Sequence, residues 1–297
     1  MSVSLQSASD SDPASGRGQE PPVPAGREEP RHYTRSDASG VLREIWEYRE
    51  LFYFLAWRDI KVRYKQTSLG VLWAVIQPLL TMLIFTVLFG RFANVPSEGL
   101  PRPLFYFSAL LPWTYVSTTV NTAAMSLVGN SNLLTKIYFP RIILPISASL
   151  SGLLDFAIGV VMLAVLLVYF HIPLGLGIAL WPALICLMAV LAVGIGTFLA
   201  AVNVKFRDVK YAIPFAIQIW LFVTPIIYPT SIIPERLRWL VALNPLAGIV
   251  EAFRSSLTPG AAIDWTSLGT SCALSVGLLL FAVIYFKRTE RAFADIV

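Results

Sequence analysis

The sequence predicts an all-α integral membrane protein, and three observations lead there. Hydrophobic residues make up 56% of the 297-residue chain and charged residues only 14%, where a soluble domain carries about a quarter charged. The mean hydropathy is +0.67. The apolar residues also come in charge-free blocks, over 66–90, 103–135, 156–204, 211–234 and 265–286. A spanning helix needs about 20 apolar residues, so these blocks hold six spans, two of which share 156–204. The blocks are continuous and do not alternate residue by residue, which excludes a membrane β-barrel.

Residues 1–38 are rich in Ser, Pro, Gly and Glu and show no apolar periodicity. They read as a disordered cytosolic tail, and without an early apolar run no cleaved signal peptide is expected. Over 41–65, Leu42, Ile45, Trp46 and Phe52 recur near helical spacing with Glu44, Glu47 and Arg49 between them. The apolar run from Leu51 to Trp57 is too short to cross a bilayer. An amphipathic helix lying in the interface is expected here, with Arg58, Lys61, Arg63 and Lys65 at the headgroups.

The transmembrane domain is expected over 66–290, with spans at about 70–90, 104–125, 145–169, 178–202, 211–229 and 265–286. SNLLTKIYFPRIILP (131–145) forms a short amphipathic piece closed by Pro140 and Pro145. Before the last span, 229–260 holds two apolar pieces broken at Asn244-Pro245. Each is too short to cross, so about 234–257 is expected to form a re-entrant helical hairpin. Cys186 and Cys272 fall inside spans and read as small packing residues.

Orientation follows from the cations. With both termini inside, the inner segments carry 18 Lys and Arg residues, ten of them up to Lys65, and the outer segments carry 5. That bias predicts cytosolic termini. It also assigns the formal charge of +5 to membrane topology rather than to nucleic acid.

Several chemistries have no residues to support them. No G-x-x-x-x-G-K-[ST] is present, and no Gly-Lys pair at all, so no P-loop binds ATP on this chain. The two histidines, His32 and His171, belong to no metal-ligand cluster, and no metal or cofactor is expected. The stretch VGIGTFLA (193–200) lacks the third glycine of a dinucleotide loop and reads as small-residue helix packing. One acid stands out: Asp155 lies about ten residues into the third span. An intramembrane acid is costly and suggests function, here a proton relay or a carboxylate bonded to a neighbouring helix.

WRDIKVRYKQTSLGVLWAVIQPL (57–79), YFPRIILPIS (138–147), VKFRDVKY (204–211) and NPLAGIVEAFR (244–254) together resemble the ABC-2 type permeases of ABC exporters. The likeness is to the polysaccharide branch that exports O-antigen, teichoic acid or capsule, and it covers about 45–290. The resemblance implies a homodimer working with two copies of a nucleotide-binding ATPase subunit, which would hold the ATP and Mg. It implies a permease without enzymatic activity in the bacterial inner membrane, moving a lipid-linked polysaccharide. The interface helix and a coupling helix at about 131–141 would meet the ATPase through Arg58, Lys61, Arg63, Lys136, Tyr138, Phe139, Arg141 and Arg207.

Sugar rings present apolar C–H faces that lie flat on aromatic rings. Candidate channel residues are therefore Trp73, Phe105, Tyr106, Trp113, Tyr115, Trp220, Phe222 and Tyr228, set against the general gathering of Trp and Tyr at membrane interfaces. Glu251 and Arg254 are helical neighbours and form a candidate pair on the re-entrant element. The competing readings are an ABC-2 permease for a drug or simple lipid, a membrane-embedded glycosyl- or acyltransferase, and a proton-coupled transporter using Asp155.

Overall fold

A computed structural model describes residues 38–65, 71–136, 139–173, 175–206, 208–258 and 260–290. The expected tail, Tyr138 and Arg207 lie outside the described residues. All regular structure among those described is helical. Two short helices come first, α1 (Ala38–Glu47) and α2 (Arg49–Lys65), broken by a turn at Tyr48. α3 (Val71–Phe85) runs on as a π-helix, Thr86–Phe92. α4 (Arg102–Gly129), α5 (Ser131–Lys136) and α6 (Ile143–Tyr169) follow. A 3₁₀ turn, Leu176–Leu180, leads into α7 (Trp181–Lys205), and then come α8 (Val209–Val223), α9 (Glu235–Ala242), α10 (Pro245–Leu257) and α11 (Trp265–Glu290).

Helices therefore stand at every expected span. Four helical stretches, Leu72–Phe92, Ile143–Tyr169, Leu176–Lys205 and Trp265–Glu290, are long and apolar enough to cross a membrane. The other two differ for separate reasons. α8 has only 15 residues, about 22 Å at 1.5 Å per residue. α4 has 28 residues but is rich in Ser, Thr and Asn.

Packing explains the polarity of α4. It lies against α3, α6, α7, α8 and α10, and 17 of its 28 residues are buried. Enclosed by protein, it can carry hydroxyls that a lipid-facing helix could not. Several are satisfied locally: Thr118 donates to the Thr114 carbonyl at 2.6 Å, Thr122 to Thr118 at 2.8 Å and Ser126 to Ala123 at 2.7 Å, while Thr119 Oγ1 and Asn121 Oδ1 are buried without a hydrogen-bond partner. Leu104, Phe107, Leu110, Val116 and Val120 of α4 join Leu163 of α6, Met188 and Leu191 of α7 and Phe253 of α10 in the main core.

The VGIG glycines do pack helices. A Cβ on Gly196 of α7 would lie 2.5 Å from the Ala123 methyl of α4, and one on Gly194 would lie 3.0 Å from the main chain of Leu279 in α11. The cysteines require a correction. Cys186 and Cys272 are free and exposed; they occupy outward helix faces, which span membership alone could not reveal.

Helix starts follow local chemistry. Asn244 caps α10 by accepting from the Leu246 N–H at 3.1 Å, with Pro245 at the first position, where no donor is needed. Asp264 caps α11 through the N–H groups of Thr266 (3.0 Å) and Ser267 (3.1 Å) and the Ser267 hydroxyl (2.6 Å). These bonds hold the Asp264 carboxyl below its usual range.

Gly194→Leu is expected to force α7 off α11 and to cost about 1–3 kcal/mol, read as a lowered melting temperature of the purified chain. Asp264→Ala is expected to cost about 1 kcal/mol near neutral pH. Because the folded carboxyl ionises more readily than the unfolded one, its contribution is complete above about pH 4 and fades as pH falls below that. The melting-temperature difference between Asp264→Ala and the parent should therefore shrink in acid.

Candidate functional site

Polar side chains gather in three groups, one at each end of the bundle and one along its side. At the first end, the close of α11 meets α1, α2 and the segment around α5. Lys287 of α11 reaches the Glu44 carboxylate of α1 at 2.6 and 2.8 Å and approaches Glu290 at 3.7 Å. The Arg141 N–H donates to Glu290 Oε1 at 3.1 Å, and its guanidinium to the Glu290 carbonyl at 3.3 Å. These two bonds tie the segment after α5 to the last described residue of α11. Beneath these bonds Leu55, Leu127, Phe139, Ile142, Ala201, Val204 and Phe286 form a second apolar cluster.

The candidate coupling residues divide accordingly. Phe139 is buried within the chain's own cluster and Arg141 is bound to α11, while Lys136 is exposed at the end of α5. On α2, Arg58 pairs with Asp59 at 2.8 Å. Lys61 lies 5.4 Å from the centre of the Trp57 ring, which in turn stacks on Tyr53 at 6.4 Å. Trp46, Tyr53, Phe54 and Trp57 are all exposed, so α1 and α2 present aromatic rings and cations on the side away from the bundle.

Along the side of the bundle, α2 packs against α6. Arg63 and Tyr64 of α2 both donate to the carboxylate of Asp155, one oxygen each. Asp155 is thus an ion-pair partner of the cationic helix, held across 92 residues of sequence. Burial and the neighbouring carboxylate push the Tyr64 phenol up, so Tyr64 remains a neutral donor. The three residues close one wall of a cavity of about 370 Å³, which Trp73, Gln77, Thr81, Thr114, Tyr115, Thr118 and Phe156 also line.

At the opposite end, Arg254 of α10 is the largest fully buried side chain, at 1% exposure. Its guanidinium donates to the carbonyls of Pro225 (3.0 Å) and Ile226 (3.3 Å) and approaches Glu251 at 3.5 Å. It lies 3.9 Å from the centre of the Phe105 ring, a desolvated cation–π contact. Next to it, Asn244 accepts from the Trp220 indole at 3.0 Å and donates to the Thr224 hydroxyl at 2.9 Å.

The aromatic candidates also separate. Phe105, Tyr106, Trp113 and Tyr115 are buried within the single chain. Edge-to-face contacts hold them, Phe105 to Tyr106 at 5.3 Å, Trp113 to Trp220 at 5.4 Å and Tyr115 to Phe156 at 5.8 Å. α4 faces protein on most sides, which encloses these rings within the single chain, and Tyr115 also lines the cavity beside α2. Trp73 and Phe222 present their rings outward, and the Tyr228 hydroxyl donates to the Phe222 carbonyl at 3.2 Å. Among the described residues, no group of three or more His, Cys, Asp or Glu could hold a metal ion. Sequence reasoning missed Tyr64, Glu44, Lys287 and Glu290, whose partners are remote along the chain.

Residues 50–258, from the start of α2 to the end of α10, match the ABC-2 type transporter family. The chain belongs to that family. It is similar to the O-antigen export system permease protein RfbA of Myxococcus xanthus, with 31% identity over 259 residues, 86% of this chain and 98% of that protein. A protein of the same name from Klebsiella pneumoniae is 25% identical over 81% of this chain and 92% of its own length. The polysialic acid transport protein KpsM of Escherichia coli is 26% identical over 79% of this chain and 92% of its own. The ABC-2 match contains the Arg63–Tyr64–Asp155 group and the Arg254 group whole. It excludes α1 and α11, so the Glu44–Lys287 bond joins two helices that flank the matched region.

Arg254→Ala is expected to destabilise the chain by about 3 kcal/mol, since it removes the cation from a buried pair and frees two carbonyls. Thermal unfolding of the purified protein should show this, with a smaller loss for Glu251→Gln.

Proposed function

We propose that this chain is the membrane permease subunit of an ATP-driven exporter that carries a lipid-linked polysaccharide outward across the bacterial inner membrane. Its similarity over 98% of an O-antigen export permease supports this reading most directly, and the names of the capsule-related relatives agree with it. Two copies of the chain would work with two copies of an ATPase subunit. ATP and Mg would bind that partner, and this chain would catalyse movement only. In the proposed arrangement six segments cross the bilayer, with α4 and the short α8 included, and α9 with α10 forms the re-entrant pair. Both termini face the cytosol, in line with the 18-to-5 distribution of cations.

The exposed Lys136, with Arg58 and Lys61 on α2, would meet the ATPase. Arg141 and Phe139 would hold the coupling segment on α11 and the second core, so that a push on α5 reaches the bundle. Trp73, Trp220, Phe222 and Tyr228 remain the channel candidates, since a sliding polymer needs rings at a surface. Relatives named for glycans favour a polysaccharide over a drug or simple lipid as cargo.

The tagged chain, purified from its native membrane in mild detergent, is expected to carry a nucleotide-binding subunit in equal amount. Lys136→Glu should leave the chain folded and lower ATPase-coupled export severalfold, whereas Arg141→Glu should also lower the melting temperature. A chain that purifies alone, with export indifferent to ATP, would sink the proposal.

A further inference from the structure

The cavity beside α2 has a composition that points to a particular ligand. Its volume of about 370 Å³ lies within the range of small-molecule sites. Its walls come from α2, α3, α4 and α6, and it has two kinds of surface. One holds Arg63, Tyr64 and Asp155; the other is largely apolar, with Phe107, Leu111 and Phe156, and carries the hydroxyls of Thr81, Thr114 and Thr118. Trp73 and Gln77 at its rim are exposed, so the space opens outward from the chain.

The charges are the deciding feature. A guanidinium has five donors, and a carboxylate has about four acceptor positions. Asp155 accepts one bond on each oxygen from Arg63 and Tyr64 and keeps acceptor capacity on both. The site therefore offers a cation and an anion side by side, beside an aromatic ring and an apolar wall. An anionic headgroup would meet the guanidinium and be repelled by the carboxylate. A headgroup with a phosphate and an ammonium a few bonds apart satisfies both, the phosphate toward Arg63 and the ammonium toward Asp155, with the Trp73 face available to the ammonium.

We propose that this cavity binds the headgroup and upper acyl chain of one zwitterionic phospholipid of the phosphatidylethanolamine class. The site makes the seating of α2 on α6 sensitive to the surrounding lipid, because the bound headgroup bridges the two side chains that join these helices. The inference does not rest on the cargo assigned above, and export of a different substrate would leave it intact.

Native mass spectrometry of the full-length chain, delipidated and then titrated, tests the proposal. Phosphatidylethanolamine and phosphatidylglycerol with identical acyl chains serve as probes, with free phosphoethanolamine as competitor. The expected result is one phosphatidylethanolamine retained per chain, with at least a tenfold preference over phosphatidylglycerol. Asp155→Asn should abolish or reverse that preference. Thr81→Phe, which fills the cavity without touching the charged pair, should release the lipid. Equal retention of both lipids, an unchanged preference in Asp155→Asn, or a lipid still bound in Thr81→Phe would each overturn the assignment. Displacement by free phosphoethanolamine would overturn the lipid in favour of a soluble headgroup. Should Asp155→Asn fail to fold, Thr81→Phe decides the matter alone.

Discussion

The architecture depends on keeping one polar helix out of lipid. α4 carries Ser108, Thr114, Ser117, Thr118, Thr119, Asn121, Thr122 and Ser126 along a single 28-residue length. Ser108, Ser117, Thr118, Thr122 and Ser126 donate back to carbonyls of their own helix, but Thr119 Oγ1 and Asn121 Oδ1 have no hydrogen-bond partner, and unpaired polar atoms are costly in an apolar medium. α6, α7, α3, α8 and α10 therefore gather around it, and α11 closes on α7 through Gly194. The same enclosure turns the large rings of α4 inward and makes Phe105 available to Arg254. A buried guanidinium at 1% exposure persists because two main-chain carbonyls, a carboxylate and a ring face surround it. The irregular backbone between α8 and α10 is held by that side chain and Asn244, and further by the Ser231 hydroxyl on Glu98 at 2.6 Å and the Tyr228 hydroxyl on the Phe222 carbonyl at 3.2 Å.

The amphipathic helices depend on charge in the same way. Apolar contact seats one side of α1 and α2, where Ile45, Leu51 and Phe52 pack against the second cluster, while Trp46, Tyr53, Phe54 and Trp57 face away from the bundle. Leu55 and Ala56 are the buried residues of α2. Two ionic ties supply the rest, Glu44 to Lys287 and Arg63 with Tyr64 to Asp155. Lys287 and Asp155 lie on long apolar helices, in low-dielectric surroundings where a pair interacts more strongly than in water. Each tie fixes one end of the α1–α2 segment to a different helix of the bundle.

Much of the helical framework was legible because charge-free blocks of some 20 residues permit little else. The packing role of the VGIG glycines could be read from residue size, whereas the single helix expected over 41–65 is two helices broken at Tyr48, and the helix described within 131–141 is only Ser131–Lys136. What the sequence withheld was the direction each helix faces. Hydropathy marks a residue as apolar without saying whether lipid or protein meets it, so Trp113 and Trp73 looked alike before one proved buried and the other exposed. Cys186 and Cys272 were misjudged for the same reason. Asp155 looked isolated within its span because its partners are 91 and 92 residues away, and no local pattern encodes such a separation.

The distribution of packing also separates what holds from what can move. α4, α6, α7 and α11 meet through small residues and a continuous core, and shifting them would cost many buried contacts at once. α8 contributes one buried residue, Ile213, and α9 contributes none. Local opening follows the elements with the fewest internal apolar contacts. Within the single chain α8 and α9 are lightly packed, as α3 is, while Arg254 anchors the loop between α8 and α9 and Asn244 the turn that follows α9. A permease must open a path without dissolving its own core. In this chain the rigid block and the lightly held pair are joined at Thr224–Ile226 and at Asn244, so movement of α8 and α9 would pivot on those few hydrogen bonds.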